Sequence, residues 1–168
     1  MDRLWRPWRL GYVSNIEKTR DEECIFCSKP SEEDELVALI LHRGEAAYII
    51  MNLYPYNTGH VMVAPYRHVG AMEELTPSEL SEIMGLTTLA VRAIKQEMKP
   101  QGFNLGMNLG EAAGAGFADH LHMHIVPRWQ GDTNFMPVVG RSKVMPETIE
   151  GTYRRLSRAI AAMLDSDS

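Results

Sequence analysis

The sequence contains no apolar run approaching the roughly 20 residues that cross a bilayer, so it predicts no transmembrane helix. Residues 1–8 also hold no long apolar stretch, and we therefore expect no signal peptide and a cytoplasmic protein. Basic residues are in deficit, because 17 Lys and Arg stand against 22 Asp and Glu, for a net charge of -5. That balance argues against a general nucleic-acid-binding protein. The remaining composition, 168 residues of which 45% are hydrophobic, suits one domain with a sizeable core.

Cysteine is also scarce: the chain has two, Cys24 and Cys27, in a C-x-x-C spacing. A structural disulfide is disfavoured in a reducing compartment. Redox chemistry of the thioredoxin type needs a strand-to-helix context, whereas this pair follows a charged stretch at residues 17–23 that is typical of a loop. We interpret the pair as part of a zinc-binding knuckle, with an unmetallated pair of thiols as the alternative.

The organisation predicted is a single domain. Residues 1–23 form an N-terminal arm, residues 24–145 the core, and residues 146–168 a C-terminal helix and tail. The arm carries Trp5 and Trp8 between arginines, which we interpret as packing on the body or on a partner subunit rather than contacting nucleic acid.

Hydrophobic patterning predicts an α+β fold with about five antiparallel strands, one main helix and a C-terminal helix. The main helix begins at a capping box, Thr76 with Glu79 three residues later, and ends near Pro100. Pro127 is expected to end the last strand. The predicted strands are 35–41, 45–53, 60–65, 103–109 and 119–126, and the C-terminal helix runs from about 146 to 164.

Half of the six histidines alternate with apolar residues, at His120, His122 and His124. Alternation at period two predicts a strand whose apolar residues face the core and whose histidines share the other face. The alternative is a solvated face that is rich in histidine. Such a row spans about 13 Å, and zinc–nitrogen bonds are about 2 Å long. One zinc ion can therefore bind one or two of these rings, and at least one is left for other chemistry.

A structural zinc site needs four ligands. Cys24 and Cys27 supply two, and one end of the histidine row supplies a third. The fourth should be a histidine outside the row, and spacing leaves His42, His60 and His68 as candidates.

A loop rich in glycine and alanine, residues 110–116, directly precedes the histidine row. Backbone amides of such a loop can hold phosphate without obstruction by side chains. An imidazole beside a phosphate site suggests phosphoryl or nucleotidyl transfer through a covalent phosphohistidine.

The pattern H-x-H-x-H followed by two apolar residues, at 120–126, resembles the signature of the histidine triad (HIT) family. Residues 52–65 look like that family's ribose-binding and strand segment. Residues 4–9 and 52–60 look most like the branch of diadenosine tetraphosphate phosphorylases and dinucleoside polyphosphate hydrolases. The match runs from about Trp5 to Lys143, and it implies a HIT-like domain that forms a homodimer.

The resemblance also implies a role for each histidine of the site. His122 would be the nucleophile on the α-phosphorus, His124 would contact the α-phosphate and assist the leaving group, and His60 would support the triad. The metal ligands implied for a structural zinc are Cys24, Cys27, His68 and His120. The nucleotide-binding residues implied are Asn52 on the ribose, Asn108 near the phosphates, Gly114, Gly116, His122 and His124.

The function implied is cleavage of a dinucleoside polyphosphate, or of a related adenine nucleotide, with inorganic phosphate or water as the acceptor. The alternatives are a phosphoramidate or adenylylsulfate hydrolase of the same fold, and a zinc-stabilised nucleotide-binding module without turnover. The chain departs from the family at Gly116-Phe117, where many members carry Gly-Gln-Ser or Gly-Gln-Thr. No nucleic acid or membrane partner is expected.

Overall fold

The computed structural model describes residues 24–132 and 147–167. The predicted N-terminal arm at 1–23 lies outside the described residues, as do residues 133–146 and the part of the family resemblance that falls on them. Among the helices of the described part, none is long and apolar enough to span a bilayer. The cytoplasmic location stays a prediction.

Five strands form one antiparallel sheet, in the order β1-β2-β3-β5-β4. The five-stranded antiparallel sheet predicted from the sequence is therefore confirmed. Strand β4 lies at one edge and β1 at the other, so β2, β3 and β5 are interior. The strands are β1 (Ile40–Arg43), β2 (Ala47–Met51), β3 (Val61–Pro65), β4 (Gly102–Met107) and β5 (Met123–Arg128).

The first predicted strand, 35–41, is wrong in its first half. Glu35–Ala38 is a helical turn, because the Asp34 carboxylate accepts hydrogen bonds from the backbone N–H groups of Leu36 and Val37 at 2.9 and 3.3 Å. Leu39 then takes a left-handed conformation with φ of 62°, which ends the turn. The apolar run is thus divided between a turn and a strand.

The last predicted strand, 119–126, is displaced. Strand β5 begins at Met123 and continues through Pro127, which pairs with Phe103 of β4. The ladder to β3 ends at the Val61–Ile125 pair. Beyond it, the Pro127 carbonyl accepts a hydrogen bond from Asn57 Nδ2 at 2.9 Å. Proline is tolerated here because its missing N–H falls where β3 has already ended.

Residues 24–132 and 147–167 contain four helices: α1 (Ile25–Ser28), α2 (Glu35–Ala38), α3 (Pro77–Met98) and α4 (Ile149–Asp167). The capping box predicted for α3 is present, since Glu79 N–H donates to Thr76 Oγ1 at 3.2 Å and Thr76 N–H donates to the Glu79 carboxylate at 2.7 Å. Short 3₁₀ turns lie at Lys29–Ser31, Met72–Glu74 and Glu111–Ala113.

The two faces of the sheet are covered differently. Helix α3 packs on β2, β3 and β5, while α4 packs on α3 and β1. We call the apolar cluster between them the helix-side core; Ile83, Ile94 and Leu156 are among its buried members. The opposite face carries a smaller cluster, the knuckle-side core, made of Phe26, Ala38, Ile40, Tyr48, Ile50, Met62 and Ala64.

Candidate functional site

A cavity of about 310 Å³ lies on the knuckle side of the sheet. This volume falls within the range of small-molecule sites. Apolar side chains from α1 and α2 form part of its wall, and the histidine segment forms another part. The sequence-predicted residues that line it are Asn52, Asn108, Gly114, Gly116, His122 and His124.

His120 and His122 do not lie on a solvated strand face. Both precede β5, and their side chains are 0% and 7% exposed. His120 turns toward the two cysteines, whereas His122 turns into the cavity wall. The predicted alternation of faces is present, because Leu121 and Ile125 are buried in the helix-side core whereas His122 and His124 border the cavity on the opposite side. The predicted strand is wrong over residues 119–122, because the segment enters the strand only at Met123.

The tautomer of His122 is set by the main chain. Its Nδ1 lies 2.8 Å from the His120 carbonyl oxygen, which can only accept a hydrogen bond. Nδ1 therefore carries the hydrogen, and Nε2 keeps a lone pair. Burial lowers the pKa of His122, which favours the neutral ring. A neutral imidazole with its lone pair on Nε2 is the form that can attack an electrophile.

The tautomers of His60 and His124 are also determined by hydrogen bonds that begin at the main chain. The Tyr56 N–H donates to His60 Nδ1 at 3.1 Å, so neutral His60 carries its hydrogen on Nε2. That atom lies 3.0 Å from His124 Nδ1. Neutral His124 consequently accepts at Nδ1 and carries its own hydrogen on Nε2. The chain of bonds makes His124 a donor at the ring nitrogen that is not turned toward His60.

Aromatic rings pack against His122 and His60. Phe26 stacks on His122 with ring centroids 4.6 Å apart and planes 25° apart. Tyr56 stacks on His60 at 4.8 Å and 20°. The rings of His122 and His124 meet edge to face at 4.8 Å. These contacts restrict rotation of rings whose direction matters for chemistry.

Asn52 follows β2 and borders the cavity. Its Oδ1 accepts the Tyr54 N–H at 2.8 Å, which fixes the start of the loop that carries Tyr56. Its Nδ2 lies 3.4 Å from His60 Nδ1. Asn52 is therefore placed both to hold the loop that carries Tyr56 and to face a ligand in the cavity.

The glycine loop reaches the cavity at Gly114 and Gly116. Gly110 and Gly114 have φ of 77° and 87°, in the left-handed region that glycine adopts without strain. The N–H groups of Ala113 and Gly114 donate within the turn, to the carbonyls of Gly110 and Glu111. Two of the backbone amides expected to hold phosphate over 110–116, those of Ala113 and Gly114, therefore stabilise the turn itself.

The four predicted metal ligands are brought together. The donor atoms of Cys24, Cys27, His68 and His120 all lie within 4.8 Å of one another. Cys24 Sγ lies 3.3 Å from His120 Nδ1, and Cys27 Sγ lies 3.3 Å from His68 Nδ1. Two thiolates and two imidazoles form a donor set that zinc takes in structural sites.

The ring of His120 is oriented for this role by its other nitrogen. Nε2 donates to the Pro65 carbonyl at 2.9 Å, so the neutral ring presents the lone pair of Nδ1 to the cysteines. Burial lowers the pKa of His120 to about 4, which also favours the neutral form. Of the three candidates that the spacing left open, the structure brings His68 to this group and not His42 or His60.

Main-chain contacts hold the segments that carry His68 and His120 together. Leu121 N–H donates to the Val69 carbonyl at 2.7 Å. Gly70 packs so closely that a Cβ atom there would lie 2.8 Å from the Ala118 carbonyl oxygen. The spacing between the two histidine segments therefore depends on glycine at position 70.

Sequence reasoning missed two residues of the site. Phe26 could not be predicted, because an apolar residue inside C-x-x-C does not by itself indicate a role in the site. Tyr56 acts through its backbone N–H and its ring, and a tyrosine in a Pro- and Asn-containing loop predicts neither role. The stacked rings become visible only when the fold brings α1 and the β2–β3 loop to the histidines.

Comparisons with known proteins agree with this geometry. The family model described as HIT domain matches residues 33–131. AP-4-A phosphorylase of Mycobacterium tuberculosis is 44% identical over 163 residues, covering 94% of this chain and 83% of that protein. Adenylylsulfatase HINT3 of Arabidopsis thaliana is 31% identical over 114 residues, covering 68% of this chain and 56% of that protein. A solved Zn-bound histidine triad family protein from Mycobacterium smegmatis has a TM-score of 0.68 at 25% identity, covering 87% of this chain and 98% of its own.

Proposed function

Since the chain belongs to the HIT domain family, we propose that it cleaves dinucleoside polyphosphates at the α-phosphorus through a nucleotidyl-histidine on His122. The observation that carries the proposal is the hydrogen bond from His122 Nδ1 to the His120 carbonyl, which leaves the Nε2 lone pair for attack at the cavity wall. The similarity to AP-4-A phosphorylase supports a nucleotide-processing enzyme and favours diadenosine tetraphosphate as substrate.

In the first step the lone pair of His122 Nε2 attacks the α-phosphorus. The bond from that phosphorus to its bridging oxygen breaks, and the nucleoside polyphosphate leaves with the electron pair on that oxygen. The Nε2–H of His124 donates a hydrogen bond to the oxygens of the reacting phosphate. This bond becomes stronger as negative charge builds up on those oxygens. Attack places positive charge on the His122 ring, and the His120 carbonyl stabilises it through the Nδ1–H.

In the second step an acceptor attacks the same phosphorus and the bond to Nε2 breaks. The electron pair returns to His122, so the ring ends as it began. Inorganic phosphate as acceptor gives ADP from an adenylyl-histidine. Water gives AMP and releases one proton to solvent. Asn52 would bind the ribose hydroxyls, and Asn108 and the Gly116 N–H would bind phosphate oxygens. Gly114 would contact the nucleotide without a side chain in the way, and all four residues line the cavity.

We propose that Cys24, Cys27, His68 and His120 hold a structural zinc ion, which would crosslink α1 to two distant segments. The donor distances and the orientation of His120 support this assignment. Metal analysis of protein purified without chelator should find one zinc per chain. Absence of stoichiometric zinc would contradict the proposal.

We also propose a homodimer that uses the edge strand β4. Leu105 on this strand and Leu109 just beyond it are 50% and 48% exposed. An edge strand offers unpaired backbone groups to another strand, and exposed leucines beside it favour a covered edge. Sedimentation analysis should show a dimer that Leu105→Asp weakens, and a wild-type monomer would contradict it.

The direct test is an assay of diadenosine tetraphosphate with products resolved, in the presence and absence of phosphate. We expect ATP with ADP when phosphate accepts, or ATP with AMP when water accepts. An acid-labile adenylyl adduct should form on the protein. His122→Asn should lower turnover by roughly 1,000-fold or more while nucleotide binding survives. Full activity in that variant would exclude His122 as the nucleophile.

A second candidate is hydrolysis of an adenylylsulfate, favoured by the similarity to adenylylsulfatase HINT3. His122 would attack the same α-phosphorus, with sulfate as the leaving group. Adenylylsulfate in the same assay separates the two candidates by their kcat/KM values. Nucleotide binding without any adduct would instead indicate a binding module.

A further inference from the structure

We propose that Phe26 is a positioning residue for His122, and that the metal site influences catalysis through this ring. The proposal rests on the proposed function of His122 as nucleophile. Phe26 lies between Cys24 and Cys27, so the same short turn carries two metal ligands and the ring.

The contact between the two rings is specific. Phe26 is 2% exposed, and its ring covers one face of the His122 imidazole at a centroid distance of 4.6 Å. The edge of the same imidazole is fixed by the Nδ1 bond to the His120 carbonyl. A face contact and an edge contact together determine where Nε2 points, which is the requirement for in-line attack on phosphorus.

Phe26 is itself held on three sides. Its carbonyl accepts a hydrogen bond from the Tyr48 hydroxyl at 2.8 Å. Its ring meets Phe117 edge to face at 5.8 Å and lies 5.2 Å from the ring of His120. Phe26 therefore contacts both His120, a proposed metal ligand, and His122, the proposed nucleophile. A shift of either ring would be transmitted to the other through this contact.

The turn that carries Phe26 needs outside support. Helix α1 has 4 residues, which is too short to be stable by its own hydrogen bonds. A metal ion bound by Cys24 and Cys27 would tie both ends of this turn to His68 and His120. Loss of the metal should let the turn move, and His122 should then lose the ring that covers its face. The metal would thus affect the reaction rate without contacting substrate.

The test compares zinc-loaded wild type, chelator-treated wild type and Phe26→Leu by ¹⁵N NMR of labelled histidine at one neutral pH. The ring nitrogen shifts of His122 should show hydrogen on Nδ1 alone in the wild type. They should move toward values averaged over both tautomers in the other two samples. Phe103→Leu is the matched control, since it removes the same atoms from a phenylalanine that packs on the helix-side core.

Kinetics supply the second measurement. Phe26→Leu should lower kcat about 10-fold, equivalent to roughly 1.4 kcal/mol, with KM changed less than about 2-fold. Phe103→Leu should leave both constants within about 2-fold. If Phe26→Leu does not fold, Phe26→Met keeps most of the apolar volume while removing the ring, and it should reproduce the NMR change.

Unchanged His122 shifts in a folded Phe26 variant would overturn the proposal. A raised KM with unchanged kcat would also overturn it, because Phe26 would then be only part of the nucleotide-binding wall. If the wild type fails to turn over diadenosine tetraphosphate or adenylylsulfate, the proposed function fails, while the NMR comparison still reports on whether the metal and Phe26 position the ring.

Discussion

The two faces of the sheet are stabilised by different means. On the helix side, α3 and α4 bury the larger of the two apolar clusters against the sheet. On the knuckle side the buried cluster is smaller, and beside it lie short turns and the four side chains that we propose as zinc ligands. Among the described residues, the cavity and the catalytic histidines proposed here belong to this second face.

The helix side thus stabilises the fold, while the knuckle side carries the proposed active site. Apolar burial is non-directional and tolerates small shifts of the groups that make it. A nucleophile needs its ring fixed in direction, and hydrogen bonds, stacked rings and metal ligands are directional. The molecule therefore places directional contacts on the face where direction matters.

Removing the proposed zinc should give the largest change. A site that is saturated about 1,000-fold above its Kd contributes about 4 kcal/mol to the free energy of unfolding. Calorimetry with and without chelator would measure the loss, and hydrogen exchange would locate it. Protection should fall first in α1 and around His68, whereas α3 should keep its protection. A uniform loss across both faces would contradict the contrast.

Leu156→Ala tests the opposite face. Leu156 lies on α4 and is 1% exposed in the helix-side core. Deleting its side chain should cost about 3 kcal/mol, because the transfer free energy is lost and a cavity remains. Urea denaturation would measure the change. The kcat of the folded variant should equal that of the wild type, and a fall in kcat would show that the two faces are coupled.

Asp132→Asn tests a polar clamp near the site. The Asp132 carboxylate accepts hydrogen bonds from Arg128 at 2.6 and 2.8 Å and from Asn57 at 2.8 Å. These bonds, first that to Arg128, lower the pKa of Asp132 well below its usual range. The substitution should cost about 1–2 kcal/mol at neutral pH.

The pH dependence of that difference follows from the sign of the shift. A carboxyl group whose pKa is lower in the folded state contributes its full stability above the unfolded value of about 3.9, and loses it as the pH falls further. The difference in unfolding free energy between wild type and Asp132→Asn should be constant above about pH 5 and shrink below about pH 4. A constant difference at all pH values would rule out the ion pair as the cause.

Thr76→Ala should have the smallest effect. The change removes the Oγ1 acceptor for the Glu79 N–H at the start of α3. Loss of an N-cap costs about 1 kcal/mol. Thr76→Ser keeps the oxygen and serves as the control. Thermal unfolding should lower the midpoint for Ala but not for Ser, with no change in turnover, since this cap lies on the helix side.

Much of the site could be predicted because its residues carry short motifs. The C-x-x-C pair and the histidine row are visible in the sequence, and the family resemblance selects His68 as the remaining ligand. The capping box at Thr76 and Glu79 locates the start of α3 for the same reason, since the motif is local.

The rest depends on contacts that a local pattern does not contain. The apolar residues at 35–41 suit either a turn or a strand, and the Asp34 cap with the left-handed Leu39 decides between them. Strand β5 continues through Pro127 because β3 ends earlier, which is a property of the sheet rather than of the segment. The ring of Phe26 reaches His122 across nearly 100 residues of chain, and periodicity has no access to such a contact.

The way in which the tautomers of His60 and His122 are determined limits what mutagenesis can detect. The hydrogen of His60 is placed by the N–H of Tyr56, and that of His122 by the C=O of His120. Both groups belong to the main chain. Any amino acid other than proline at position 56 still supplies the N–H, and every amino acid at position 120 supplies the carbonyl. A deep mutational scan would therefore not register these two groups as determinants. Replacing the Tyr56 amide by an ester, through chemical synthesis or nonsense suppression with a hydroxy acid, would expose the first of them.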